Sequence, residues 1–125
     1  GGRLATWPRD RLGYFAAVPR ANDAHFLSAP IQPMSPGTTL YVNADGLSET
    51  SRLRVEILDD HFKPLPEYSG EASLPLEKSG FRQRITWQGR DRLEGLDRPF
   101  RVRVSWEGRY PEDARLYAVY VQGSE

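Results

Sequence analysis

The chain has 125 residues, with seventeen basic and seventeen acidic side chains, a formal net charge of zero, ten Pro, eleven Gly, two His and no Cys. That length fits one domain whose core needs no covalent staple, and the balanced charge argues against a sequence-independent nucleic-acid binder, which carries a basic excess. No stretch supplies the roughly 18 apolar residues a membrane-spanning helix needs, and the lack of Cys excludes a disulfide, a thiolate nucleophile and a zinc–thiolate site.

The chain opens on Gly1-Gly2, with no start Met and no basic-then-apolar leader, and is expected to be a mature or excised domain of a longer chain. Residues 3–6 read as a short edge strand and 12–18 as the first full one. Strands at 25–31 and 38–44 follow. Arg52-Leu53-Arg54-Val55-Glu56-Ile57 alternates charged and aliphatic residues at every step, the period-2 mark of a half-buried strand. Residues 72–74 read as a second edge strand. The run Phe81-Arg82-Gln83-Arg84-Ile85-Thr86-Trp87 alternates with Phe81, Ile85 and Trp87 on one parity. A helix-like window of one or two turns covers 90–96. Phe100-Arg101-Val102-Arg103-Val104-Ser105-Trp106 repeats the alternation, and 116–121 closes the set.

Turn signals separate these runs at Asn22-Asp23, Pro36-Gly37, Asp45-Gly46, Asp59-Asp60, Ser79-Gly80, Gly89 and 108–111. Pro at 30, 33, 36, 64, 66, 75, 99 and 111 forbids long helices across most of the chain. Seven to nine short strands with regular turns predict one all-β, antiparallel β-sandwich. Jelly-roll connectivity is preferred over an immunoglobulin-like one. No repeat at 20–50 residues points to a propeller array.

Catalytic motifs are missing. His25 and His61 are the only histidines, neither in a metal-ligand spacing, and there is no GxSxG, GxGxxG or P-loop. The acidic residues fall mostly in turns or beside Arg, the pattern of solvated carboxylates and surface ion pairs. The expectation is a non-enzyme. No cofactor is expected, with calcium the one candidate, on Asp59 and Asp60 together with Asn43 and Asp45. The competing reading of Asp59-Asp60 is an Asx-type turn.

Trp87 and Trp106 share parity with the aliphatic residues of their runs and are assigned to the core. Trp7, Tyr41, Tyr68 and Tyr110 are not claimed by any dry face, and Tyr41 shares parity with Thr39 and Asn43. Arg52, Arg54, Arg82, Arg84, Arg101 and Arg103 all fall on wet parity. If their three strands share a sheet, they form a cationic band suited to an acidic polysaccharide. The alternative is cross-strand pairing with Glu56, Glu107 and other acids.

An ordered set of segments carries a family resemblance. It runs through Asp10-Arg11-Leu12-Gly13-Tyr14-Phe15, Leu27-Ser28-Ala29-Pro30-Ile31, Leu40-Tyr41-Val42-Asn43-Ala44-Asp45-Gly46 and Leu53-Arg54-Val55-Glu56-Ile57-Leu58-Asp59-Asp60. It continues through Ile85-Thr86-Trp87-Gln88-Gly89, Leu96-Asp97-Arg98-Pro99-Phe100-Arg101-Val102-Arg103-Val104 and Ala114-Arg115-Leu116-Tyr117-Ala118-Val119-Tyr120. Together these resemble the C-terminal β-sandwich module appended to five-bladed-propeller glycoside hydrolases of the family 32 kind and to related secreted bacterial proteins. The resemblance implies a module with no catalytic residues, packed beside a catalytic propeller and in some members binding glycan or aiding assembly. The chain departs from that pattern at Trp106-Glu107-Gly108-Arg109-Tyr110-Pro111-Glu112-Asp113, an aromatic and acidic loop in place of a shorter connection.

The expected function is therefore a secreted or periplasmic, non-catalytic carbohydrate-binding module, with a polysaccharide or oligosaccharide and a catalytic glycoside hydrolase domain of the same parent chain as partners. Neither nucleic acid nor a membrane is expected as a partner. Stacking would come from Trp7, Tyr110 and Trp106, and hydrogen bonds from Arg109, Asp113 and Asn43. An anionic glycan would engage Arg82, Arg84, Arg101 and Arg103 instead. The alternative is a structural module that packs against the catalytic domain and binds no glycan alone.

Overall fold

The structure, a computed structural model, describes residues 11–13, 25–34 and 36–124. Trp7, the expected strand at 3–6, the 14–18 part of the first full strand and the Asn22-Asp23 turn lie outside the described residues. Among the described residues, eight strands form two antiparallel sheets: β1 (Arg11–Gly13), β2 (His25–Leu27), β3 (Gly37–Asp45), β4 (Arg52–Asp59), β5 (Gly80–Arg84), β6 (Leu93–Glu94), β7 (Phe100–Glu107) and β8 (Arg115–Ser124). One sheet has the order β1-β8-β3-β5, with β6 also on β3, and the other has the order β2-β7-β4. Pairing first with last, second with second-to-last and third with sixth is the winding of a jelly roll.

Alternation builds the core between the sheets. Leu53, Val55 and Ile57 of β4 and Phe100, Val102 and Val104 of β7 face Leu40, Val42 and Ala44 of β3 and Val119 and Val121 of β8, all buried in one cluster. Trp87 is only 2% exposed, as its parity predicts. Its ring meets Tyr68 edge-on at 5.1 Å, and its indole N–H donates to the Val55 carbonyl at 3.3 Å. Tyr68 is thereby core. Its hydroxyl also accepts the Glu94 amide at 3.2 Å.

Among the described residues the outer edge of β4 has no full strand beside it, and irregular chain satisfies it instead. Leu53 and Leu76 exchange backbone hydrogen bonds, Leu65 N–H donates to Ile57 O, and the Ser69 and Ser73 hydroxyls donate to Ile57 O and Val55 O. The edge strand expected at 72–74 is replaced by two short 3-10 turns, Pro66–Tyr68 and Gly70–Ala72, after which Ser73 makes a single bridge to Trp87. Side-chain hydroxyls satisfy carbonyls that a neighbouring strand would otherwise have paired.

Two other expectations are overturned. The helix-like window at 90–96 is a turn leading into β6, where Thr38 pairs with Leu93 and Gly37 with Glu94. Gly89 and Gly95 bracket it with φ of +77° and +73°, leaving too few residues to nucleate a helix, while burial of Leu93 draws the segment onto β3. Alternation places Phe81 on the dry parity with Ile85, yet Phe81 is 82% exposed. Val42 pairs with Gln83 but Ala44 pairs with Gly80, so Phe81 and Arg82 together oppose Asn43. This β-bulge adds one residue, and one residue reverses the facing of what precedes it.

Candidate functional site

The ten candidate ligand-binding residues separate into four groups. Trp7 lies outside the described residues. Trp106, Arg109, Tyr110 and Asp113 gather at the β7–β8 connection. Arg101 and Arg103 stand on the β2-β7-β4 sheet, and Asn43, Arg82 and Arg84 stand on the opposite one.

The β7–β8 connection is a tied loop. Tyr110 N–H donates to Thr50 O at 2.7 Å, a 3-10 turn covers Pro111–Asp113, and the Trp106 indole N–H donates to Ala114 O at 3.0 Å. Trp106 is half-buried and packs against the core, so its ring is largely committed to structure, in keeping with its parity. Tyr110 is 48% exposed, and Arg109 and Asp113 are exposed beside it.

The Arg residues do not form one band. Arg82 and Arg84 lie on β5, in a different sheet from Arg52, Arg54, Arg101 and Arg103. On the β4–β7 face the cross-strand pairing alternative holds. Arg103 sits opposite Glu56 in the register and bonds its Oε1 from Nε and Nη2 at 3.2 and 2.9 Å. Arg54 reaches diagonally to Glu107 Oε2 at 2.6 Å, and its Nη1 donates to the Ser73 carbonyl at 2.8 Å. Glu56, 8% exposed, also accepts the Gly70 amide at 2.8 Å. An open groove of about 390 Å³ lined by Arg54, Glu56, Gly70, Glu71, Ser105 and Glu107 sits over this lattice. Glu56 and Glu107 are each neutralised by a guanidinium, which suits them to holding strands in register. Arg101 lies over the Phe62 ring at 4.1 Å and donates to Ser28 O at 3.2 Å.

The calcium candidates are committed locally. Asp59 Oδ1 accepts the His61 and Lys63 amides at 2.7 and 2.9 Å, an Asx-type turn. Asp60 pairs with Arg98 at 2.9 Å, and Asp45 Oδ1 accepts the Gly46 amide at 2.9 Å. Among the described residues no group of three or more His, Asp or Glu is placed to hold a metal ion. The Lys63 amide, helped by the His61 amide and by nearby positive charge, holds the Asp59 carboxyl below its ordinary value of 3.8. A folded pKa below the unfolded one means that this turn contributes its full stability above pH 3.8 and loses it as the pH falls through the lower folded value. The His61 and Lys63 amide resonances are expected to titrate together with a midpoint under 3.8, and a midpoint at or above it would contradict the assignment.

The remaining group forms a built cluster. On β3 and β8, Tyr41 and Tyr120 are directly opposed, and Asn43 lies two residues further along the same face as Tyr41. Asn43 Nδ2 donates to the Tyr120 hydroxyl at 3.1 Å, while its Oδ1 accepts the backbone N–H of Arg82 at 2.7 Å. The side-chain amide thus takes up the donor that the bulge removes from the ladder. The exposed Arg82 side chain crosses back over the sheet, its guanidinium carbon 4.9 Å from the Tyr41 ring centre and 5.9 Å from that of Tyr120. Its Nη2 donates to Gln122 Oε1 at 3.3 Å. Arg84, next along β5 on this side, is bound to Asp91 through the backbone oxygen at 2.9 and 3.2 Å and the carboxylate at 3.6 Å.

Asn43 and Arg82 are legible in the sequence as candidates and Tyr41 as an unclaimed ring. Tyr120 and Gln122 escape the sequence reading, although their parity in the last strand, opposite to that of Val119 and Val121, is a usable signal. No protein-family model, no curated protein and no solved structure matches this chain.

Proposed function

We propose that the protein is a non-catalytic, carbohydrate-binding β-sandwich module, and that the outer face of the β1-β8-β3-β5 sheet is its binding surface. The observation that carries this reading is Asn43, whose amide ties Tyr120 and the bulged Arg82 into one polar and aromatic cluster on an ordered sheet. Saccharides are recognised by rigid aromatic groups and planar polar side chains that read hydroxyls, and such sites work best on regular elements held by their own hydrogen bonds. Tyr117, half exposed at a second register shift, in β8, extends the same surface. Attachment to a catalytic glycoside hydrolase domain and export to the periplasm or beyond belong to the same proposal and rest on the family resemblance of the sequence.

Affinity electrophoresis of the chain against neutral, uronic and sulfated polysaccharides tests it. Retardation by at least one class is expected, weakened in Asn43→Ala, which releases both Tyr120 and the bulge. No retardation by any class would overturn the proposal. It would favour instead a structural module that docks on a catalytic neighbour, for which Phe81, 82% exposed at the bulge, is the supporting observation.

A further inference from the structure

We infer that Arg82 makes this face selective for saccharides bearing an oxyanion, a uronate carboxylate or a sulfate ester, and that neutral sugars are not its preferred ligands. The inference rests on the glycan-binding reading and names the ligand class of that same surface.

Three features of Arg82 converge. The first is charge. Among the described residues Arg52, Arg54, Arg84, Arg92, Arg98 and Arg103 have a carboxylate within 4.0 Å, whereas Arg82 takes part in no ion pair. Its guanidinium carries five N–H donors, of which one meets the Gln122 side chain. The second is orientation. The guanidinium carbon already lies over the Tyr41 and Tyr120 rings, at 4.9 and 5.9 Å, before any ligand arrives, so less side-chain freedom is lost on binding.

The third feature is the backbone. Arg82 sits at φ +49°, in the left-handed region that side-chain-bearing residues seldom occupy. Phe62 is the only other such residue described, at φ +68°, and there the conformation closes the Asp59 turn through Phe62 N–H to Asp59 O at 3.1 Å. Arg82 lies inside a strand, at the bulge opposite Asn43, and its side chain crosses back over the rings of β3 and β8. Two other stacked guanidinium groups make no ion pair among the described residues. Arg101 is half-buried and bonded to Ser28 O, so it offers less to a ligand. Arg90 covers the single ring of Tyr68 at 5.6 Å, on the turn that follows Trp87 and away from the Asn43 cluster. A planar, charged, pre-oriented fork of donors matches the paired oxygens of a carboxylate or sulfate and has no comparable match in a neutral hydroxyl.

The test uses backbones that differ only in charge: dextran against dextran sulfate, and methyl-esterified against de-esterified polygalacturonate. Affinities of the full chain are measured by calorimetry at two salt concentrations. The charged member of at least one pair is expected to bind more tightly, with affinity falling as salt rises, and which pair responds separates sulfate from carboxylate. Arg82→Gln should weaken that binding about tenfold or more, since a charge-assisted contact is lost. Arg82→Lys should restore part of it, keeping the charge without the fork. Arg98→Gln, which removes the same charge, should change it little, because that guanidinium pairs with Asp60 beside the other sheet. Equal affinity for charged and neutral members, unaffected by Arg82→Gln, would overturn the oxyanion inference and leave the glycan-binding reading standing. Equal weakening by Arg82→Gln and Arg98→Gln would also overturn it, pointing to diffuse surface charge. Binding to none of the four would overturn both.

Discussion

Trp87→Ala is expected to cost about 3–5 kcal/mol of folding stability, as buried aromatic truncations do. The indole is 2% exposed and meets Tyr68 at 5.1 Å. It also donates to the Val55 carbonyl on the edge of β4. Its loss therefore opens a cavity beneath the segment that substitutes for a missing strand along β4. Trp87→Phe separates the two contributions. It retains most of the volume, and Val55 O keeps its Ser73 hydroxyl donor at 2.9 Å. A smaller loss, with about 1 kcal/mol attributable to the hydrogen bond, is expected. Urea denaturation at equilibrium measures both. If the two variants lost the same amount, the hydrogen bond rather than the packing would be the main contribution of Trp87. A loss under about 1 kcal/mol for Trp87→Ala would remove it from the core.

Gly46→Ala is the second large effect, and its cause is backbone geometry. Gly46 follows β3 at φ +75°, and a Cβ there would lie 1.9 Å from the Asp113 carbonyl oxygen and 3.0 Å from its carbon. Both atoms are backbone, so the 109–114 loop has to move. That displacement strains the adjoining Trp106-to-Ala114 hydrogen bond and the Tyr110-to-Thr50 bond. Gly89→Ala is the control, since Gly89 has φ +77° and a methyl group added there would meet nothing within 4 Å. It should show the left-handed penalty alone, about 1–2 kcal/mol. Gly46→Ala should exceed it clearly and shift the Trp106 fluorescence. Equal costs for the two would mean that the loop yields without resistance. The same comparison reports whether the exposed Tyr110, Arg109 and Asp113 are rigidly presented.

The ion-pair lattice on β4 and β7 illustrates how neutral net charge and many arginines coexist. Arg103 with Glu56 and Arg54 with Glu107 pair across one outer sheet face, while among the described residues Arg82 on the other sheet makes no such pair. The formal zero leaves room for a local unbalanced cation, which is what the proposed ligand selection requires.

Much of the architecture is legible in residue order, because burial on one face of a strand imposes a two-residue period. Arg52-Leu53-Arg54-Val55 and Phe100-Arg101-Val102-Arg103 declare both their strands and their inward residues, and Trp87 follows its parity into the core. Pro and Gly punctuation places the turns for an equally local reason, since φ limits act residue by residue. Local patterns fail where a distant partner competes with them. Residues 90–96 carry helix-forming side chains yet join β3, since Leu93 gains burial there that an isolated turn of helix cannot match. Phe81 keeps its alternation on paper, but the bulge facing Asn43 turns it outward.

The candidate site is of this second kind. Asn43 and Tyr120 are 77 residues apart, and their bond depends on the β3–β8 register. The wet parity of Arg82, Arg84, Arg101 and Arg103 is readable in the sequence; which arginines share a sheet is not, because parity specifies a face and only strand order specifies whose face it is. Side-chain period is a property of one strand, whereas the meeting of Asn43, Tyr41, Tyr120 and Arg82 is a property of three strands and one inserted residue.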